Sequence, residues 1–199
     1  LNFLKEEYNM ANKDAAFGVR PVGKVGQNAD NGGLSEHIIT ASATAIFQND
    51  LVKMKSDGSI EVAAAGGNVV GSLNGVFFTD ASTSKPTFAN HLKGSNTATD
   101  IKGFVYDDPY QRFEIQSNNT AASALTDINN AADIEYAAGA APNFISKSEL
   151  NDSTLAAGAA TLKIHGLSND PENNDVGNAN VNWIVSINEH EYGKGVAGI

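Results

Sequence analysis

The chain predicts an all-β protein, an antiparallel barrel or sandwich with long Asn- and Gly-rich loops, one short helix at most and an extended N-terminal arm. Three observations carry this expectation. Long apolar side chains come in short alternating runs, best seen in Val181, Trp183, Val185 and Ile187. Glycine, proline, asparagine and aspartate interrupt those runs at short intervals. Hydrophobic residues make up 41% of the chain with alanine supplying many of them, so the core has to come from sheets rather than long helices.

Residues 1–10, Leu-Asn-Phe-Leu-Lys-Glu-Glu-Tyr-Asn-Met, differ in character from the rest of the chain. Lys5-Glu6-Glu7 can be encoded by a purine tract just upstream of Met10, with the composition and spacing of a bacterial ribosome-binding site. Ala11 then favours removal of an initiator methionine. The expectation is a mis-called leader over residues 1–10, with the true start at Met10. Residues 11–35 read as the extended arm, because Gly and Pro recur too often for a helix and the apolar residues stand alone. Phe17, Val19, Arg20, Val22 and Val25 are its candidate contacts to another subunit. Residues 36–192 form a single β-rich domain, and residues 193–199 a flexible tail.

Within the domain, residues 51–55 and 59–62 flank Asp57-Gly58, a type I′ hairpin signal, with Val52 and Met54 sharing one face of their strand, as do Ile60 and Val62 of theirs. Residues 68–79 are one long strand or a strand pair. There Asn74-Gly75 is either a turn or, with Gly71, a bend where another backbone approaches. Residues 100–116 read as a strand pair broken by Asp107-Asp108-Pro109, since proline fixes φ and gives up its donor. Phe104 and Tyr106 supply the apolar face before the break, and Phe113 and Ile115 the face after it. Leu125, Ile128, Ala132 and Tyr136 recur at roughly helical spacing, although a strand over residues 133–136 also fits. Residues 161–165 and 181–188 are strands, joined by an Asn-, Asp-, Pro- and Gly-rich loop over residues 169–180.

The net charge of −10, with scattered basic residues, argues against nucleic acid and anionic membrane surfaces as partners. No stretch approaches the roughly 20 apolar residues of a membrane-spanning helix. The absence of cysteine excludes disulfides, thiolate catalysis and cysteine-ligated zinc, so any staples should come from neighbouring chains. Charged residues are only 18%, which leaves Asn, Ser and Thr to carry the polar surface.

No catalytic constellation emerges from the residues. Gly66 and Gly71 have the spacing of a phosphate loop, but Ser72-Leu73 stands where Lys-Ser/Thr is required. Asp170, Glu172, Asn174 and Asp175 offer hard oxygen ligands and are the weak candidates for a metal site; the loop fails the EF-hand pattern at Asp175 and Val181. His37, His91, His165 and His190 never fall at metal-ligand spacing, and carboxylates flanking His190 favour its charged form. Asp107 and Asp108 are adjacent, too close in the chain to straddle a glycosidic bond. Trp183 reads as core. Tyr106 and Tyr110, with the Asp170–Asp175 loop, are the candidates for a carbohydrate groove.

The ordered pieces resemble a family of tailed-phage structural proteins, the capsid cement or decoration proteins. They are Phe17-Gly-Val-Arg-Pro-Val22, Asn49-Asp-Leu-Val-Lys53, Gly58 to Gly66, Gly71 to Phe78, Tyr106-Asp-Asp-Pro109 with Phe113-Glu-Ile-Gln116, residues 157–167, Asn173 and residues 180–192. The resemblance implies a non-enzymatic virion protein without cofactor, made in the host cytoplasm and placed on the capsid exterior. There it would bind the phage major capsid protein as a homo-oligomer and stabilise the head. The alternative is a tail-associated or surface module that binds carbohydrate or a receptor.

Overall fold

The computed structural model describes residues 11–25, 34–41, 43–64, 67–118 and 122–193. The expected leader over residues 1–10 lies outside them, as do residues 26–33 of the expected arm and all of the expected tail but Gly193. Regular structure among the described residues is almost wholly β. In chain order the strands are β1 (Arg20–Lys24), β2 (Ser35–Ile38), β3 (Ile46–Phe47), β4 (Leu51–Met54), β5 (Ile60–Val62), β6 (Gly71–Thr79), β7 (Pro86–Ala89) and β8 (His91–Leu92). The remainder are β9 (Lys102–Tyr106), β10 (Gln111–Gln116), β11 (Ala131–Ala132), β12 (Ile134–Glu135), β13 (Glu149–Leu150), β14 (Leu162–Leu167) and β15 (Asn182–Ile187).

These strands build two main antiparallel sheets. One has five strands in the order β1-β10-β15-β14-β11, and the other runs β2-β9-β6-β4-β5 with β7 beside the far half of β6. Two short pairs, β12-β13 and β3-β8, complete the set among the described residues.

The chain buries two cores, and the six-stranded sheet is the wall between them. Side chains alternate across a strand, so neighbours in sequence point to opposite faces. Leu51 is buried in the first core and Val52 in the second; Val69 and Val70 divide in the same way. Val105 lies in the second core while the adjacent Tyr106 packs against the first. The stripe Val181, Trp183, Val185 and Ile187 is buried as expected, alongside Phe113 and Ile115 of the neighbouring β10.

The break at residues 107–109 is a crossover between sheets. β9 and β10 do not pair with each other: β9 lies between β2 and β6, and β10 between β1 and β15. The expected strand pair is therefore two strands of different sheets. The register of β9 also differs, because Gly103 and Val105 face the second core while Phe104 and Tyr106 take the opposite face.

The hairpin β4-β5 pairs Val52 with Val62 and Met54 with Ile60 as the alternation requires, with Lys53 opposite Glu61. Its loop is not type I′. Only Gly58 has a positive φ, and the Gly58 N–H donates to the Lys55 carbonyl at 2.9 Å while the Lys55 N–H donates to Ser59 at 2.8 Å. This is a three-residue loop whose glycine takes the left-handed position. Asp57 stays in ordinary backbone space and accepts from the Ser59 N–H at 3.0 Å. Residues 71–79 are one strand with a bulge at Asn74, between the pairs Leu73–Val105 and Gly75–Phe104. Gly71 marks the close approach: a Cβ there would lie 2.1 Å from the Tyr106 carbonyl oxygen. The expected helical spacing resolves into a single 3-10 turn, Leu125–Asp127, followed by β11 and β12.

Residues 11–25 are part of the domain rather than a free arm. β1 is the edge strand of the five-stranded sheet, pairing Arg20 with Glu114 and Lys24 with Gln111. Val19 is fully buried in the first core. Its N–H donates to the Asn49 carbonyl at 2.9 Å, and its carbonyl accepts from the Ser72 hydroxyl at 2.6 Å. Gly18, at φ +72°, lets the chain pass where a Cβ would meet Ser146 Cβ at 2.5 Å. Further back, Asn12 donates to the Asp175 and Ala179 carbonyls at 3.0 and 2.8 Å. Gln116 and Asn173 both donate to the Lys13 carbonyl, at 2.9 and 2.7 Å. Buried amides thus act as internal staples, where staples from neighbouring chains were expected.

This packing leads to two expected outcomes. Trp183→Ala empties a buried site and should cost roughly 3–5 kcal/mol in chemical denaturation. Deleting residues 11–25 removes Val19 from the core and strips β10 of one of its two partners. Thermal unfolding of the deletion should show a large drop in midpoint; an unchanged midpoint would mean that β1 contributes nothing to the fold.

Candidate functional site

The side chains with binding chemistry gather where the chain crosses between sheets. Among the described residues β1 is an open edge, bulged at Val22 between the pairs Pro21–Phe113 and Gly23–Arg112, and Val22 is left 48% exposed. Bulges and prolines of this kind keep an edge from pairing indiscriminately. Arg20 pairs with Glu114 and lies 4.4 Å from the centre of the Phe17 ring. At the other end of β1, Lys24 pairs with Asp108 at 2.6 Å, and the Val25 N–H donates to the Tyr110 carbonyl at 2.9 Å. The Tyr110 side chain is 68% exposed, and Tyr192 is exposed nearby. The result is an exposed rim of Val22 and Tyr110 along β1 and the crossover, beside the Lys24–Asp108 pair.

Those charges are committed to structure. Asp107 accepts from the Ser35 hydroxyl at 2.7 Å and meets His37 Nε2 at 3.1 Å. Serine and histidine both address the carboxylate, so the imidazole is not placed to take the serine proton. The Lys24 ammonium, then the Tyr110 N–H, hold Asp108 below the usual carboxylate range. His190 is buried, and its Nδ1 accepts from the Tyr192 N–H at 3.1 Å, which puts the proton on Nε2. Burial pushes its pKa down, against an upward pull from Asp107 and Asp108. The carboxylates next to it in sequence were expected to favour its charged form; burial wins instead.

The predicted site residues scatter. Val19 is core and cannot face another subunit, whereas Arg20 and the exposed Val22 lie on β1, Val25 lies just past its end, and Phe17 is half-buried beneath Arg20. Asp170 accepts from the Glu172 N–H at 3.0 Å and from Asn182 at 3.3 Å, and Asp175 accepts from Asn178 at 2.7 Å. Glu172 and Asn174 point outward as exposed residues, and no group of three acidic or histidine ligands converges among the described residues. Tyr110 precedes the first residue of β10, while the Asp170 loop contacts Asn182, opposite the last residue, Gln116. A six-residue strand spans roughly 20 Å. Tyr110 and this loop therefore do not share one groove, and Tyr106 is turned against the first core. Gly66 of the phosphate-loop spacing lies outside the described residues, and Gly71 is inside β6.

A buried carboxylate escaped the sequence reading. Asp50 is fully buried at the corner after β3, and its Oδ2 accepts from the Phe47 N–H at 2.8 Å. Among the described residues its Oδ1 has no well-formed hydrogen bond, because the neighbouring Ser146 hydroxyl is 3.0 Å from Ser148 Oγ. Burial pushes the carboxyl up to about 6, partly offset by Ser146 and Phe47. Its neighbours in sequence, a run of ordinary turn residues, gave no signal of this. The chain matches no protein-family model, no curated protein and no solved structure.

Asp50 makes a pH prediction. A carboxyl raised in the folded state binds its proton more tightly there than in the unfolded chain. Its contribution to stability is therefore complete below about pH 4 and lost as pH rises through about 6. Asp50→Asn keeps an acceptor for Phe47 and removes this loss. The gap in unfolding free energy between variant and wild type should shift in favour of the variant by roughly 2–3 kcal/mol from about pH 4 to about pH 7. A flat gap across that range, followed by denaturant titrations, would show that Asp50 stays ionised.

Proposed function

We propose that this chain is a non-enzymatic virion structural protein that binds the major capsid protein of a tailed phage and stabilises the head from outside. The observation that carries the reading is the rim at the open edge of β1: Val22 and Tyr110 stand exposed on backbone fixed by the Lys24–Asp108 pair and by the buried Val19. A rigid apolar rim suits attachment to another folded surface, because ordering it costs little on binding. The net charge of −10 supports a protein partner over nucleic acid or an anionic membrane. The order of sequence pieces that resembles capsid cement proteins runs through the same elements, β1, the crossover and β10. Repeated weak attachment across a capsid lattice would add up through avidity.

Cosedimentation with capsids that lack their own copy of the protein tests this. Wild-type chain should bind saturably, and Val22→Asp with Tyr110→Ala should weaken binding at least about tenfold with an unchanged melting temperature. Failure to bind heads, or recovery from virions only in a tail fraction, would overturn the assignment.

A further inference from the structure

The six-stranded sheet has a second apolar surface, away from the rim. Paired residues of antiparallel strands share a face, so Ile38 of β2, Lys102 of β9, Phe77 of β6 and Phe88 of β7 form one row across four strands. Ile38 is 65% and Phe88 74% exposed. The rings of Phe77 and Phe88 pack with centres 4.8 Å apart, which fixes the outer ring in place. Large apolar side chains gathered in a row on a sheet mark a contact surface, whereas scattered ones need no explanation. The other half of this same face, at Leu51 and Tyr106, is already buried against the first core. The face is continuous, and the described residues cover only half of it.

Charge indicates what covers the rest. Glu36 and Lys102 pair at 2.6 Å across this row, and Lys53 and Glu61 pair at 3.3 Å further along the sheet. Asp100, which accepts from the Thr79 hydroxyl at 2.7 Å, lies beside them, so the surface holds only a small part of the chain's net charge of −10. Two copies repel one another over most of their surfaces and least over this one. A strongly basic partner would gain more elsewhere on the molecule.

Shape agrees with a second copy. Beside Phe88 lies a hollow of about 300 Å³, with Phe104, Gln48 and Asn74 around it and Gly75 on its wall. Gly75 cannot give way to a larger residue, since a Cβ there would meet the Ala89 carbonyl oxygen at 2.9 Å. An exposed ring next to an open hollow on one patch is the self-complementary arrangement a two-fold interface requires. We propose that the chain forms a two-fold dimer through this face, with Phe88 of each copy seated in the hollow beside Phe104 of the other.

The proposal does not rest on the capsid reading. Its test is sedimentation velocity of the full chain from about 1 to about 100 μM, at low and at high salt. The expected result is a monomer–dimer equilibrium that tightens with salt, as repulsion between the acidic chains is screened. Phe88→Asp should raise the dissociation constant at least about 100-fold. Ile38→Asp, at a site that tolerates polarity in the monomer, should weaken association in the same direction if Phe88→Asp fails to fold. Leu125→Asp, an exposed residue of the other sheet's lobe, should leave association unchanged. A monomer throughout the range, a trimer in place of the dimer, or a dimer indifferent to Phe88→Asp and Ile38→Asp would each overturn it.

Discussion

The fold depends on the two-residue period of its central sheet. Leu51 and Val52 are adjacent in the chain and buried in different cores, as are Val69 and Val70. A slip of one residue in β4 would exchange them and send Lys53 inward, so both cores constrain one register. Gly71 shows how tightly the wall is built, for a Cβ would collide with the Tyr106 carbonyl of the neighbouring strand. The bulge at Asn74 then resets the alternation, which turns Val76 toward the second core and Phe77 away from it.

What a larger core or disulfides would supply elsewhere comes here from buried amides. Asn12, Gln116 and Asn173 tie the N-terminal segment to the loop after β14 through backbone carbonyls. Such bonds are made where water is excluded, so losing one partner strands the other at full desolvation cost. The abundance of asparagine in this chain is therefore partly an interior property. Asp50 is the costly member of the set, a carboxylate held in a dry corner by Phe47 and left short of one partner among the described residues.

Much of the strand pattern was legible because long apolar residues lined one face without interruption. Val181 to Ile187 is the clearest case, and its burial needed no knowledge of its partners. β9 was misread because Gly103 occupies a core position and hides the alternation, leaving Phe104 and Tyr106 as the conspicuous residues. The N-terminal segment was misread for a related reason: its ties to Asn49, Ser72 and Ser146 are all distant in sequence, and a lone valine among glycines carries no period. The crossover was visible as a break at Pro109, but pairing is non-local, so nothing in the sequence could say that the two strands enter different sheets. The same limit defeated the grouping of Tyr110 with the Asp170 loop, which are set apart by the length of one strand. Arg20 and Val22 were conspicuous as isolated large side chains between glycines and proline, and they lie on the edge strand β1.

The crossover links the fold to the proposed roles. Lys24 of β1 reaches Asp108, and His37, which comes after Glu36 in β2, reaches Asp107, so the two edge strands are anchored on adjacent carboxylates of one three-residue segment. β1 carries the proposed capsid rim, while β2 carries Ile38 of the proposed dimer face, and the two surfaces share no residue. A dimer formed through the second would therefore hold two rims at a fixed separation. Two rims bound to a periodic lattice gain effective concentration only if their separation matches a lattice spacing, because a rigid connection cannot adjust its span. The same rigidity that makes each contact inexpensive to order would then make attachment selective for one capsid geometry.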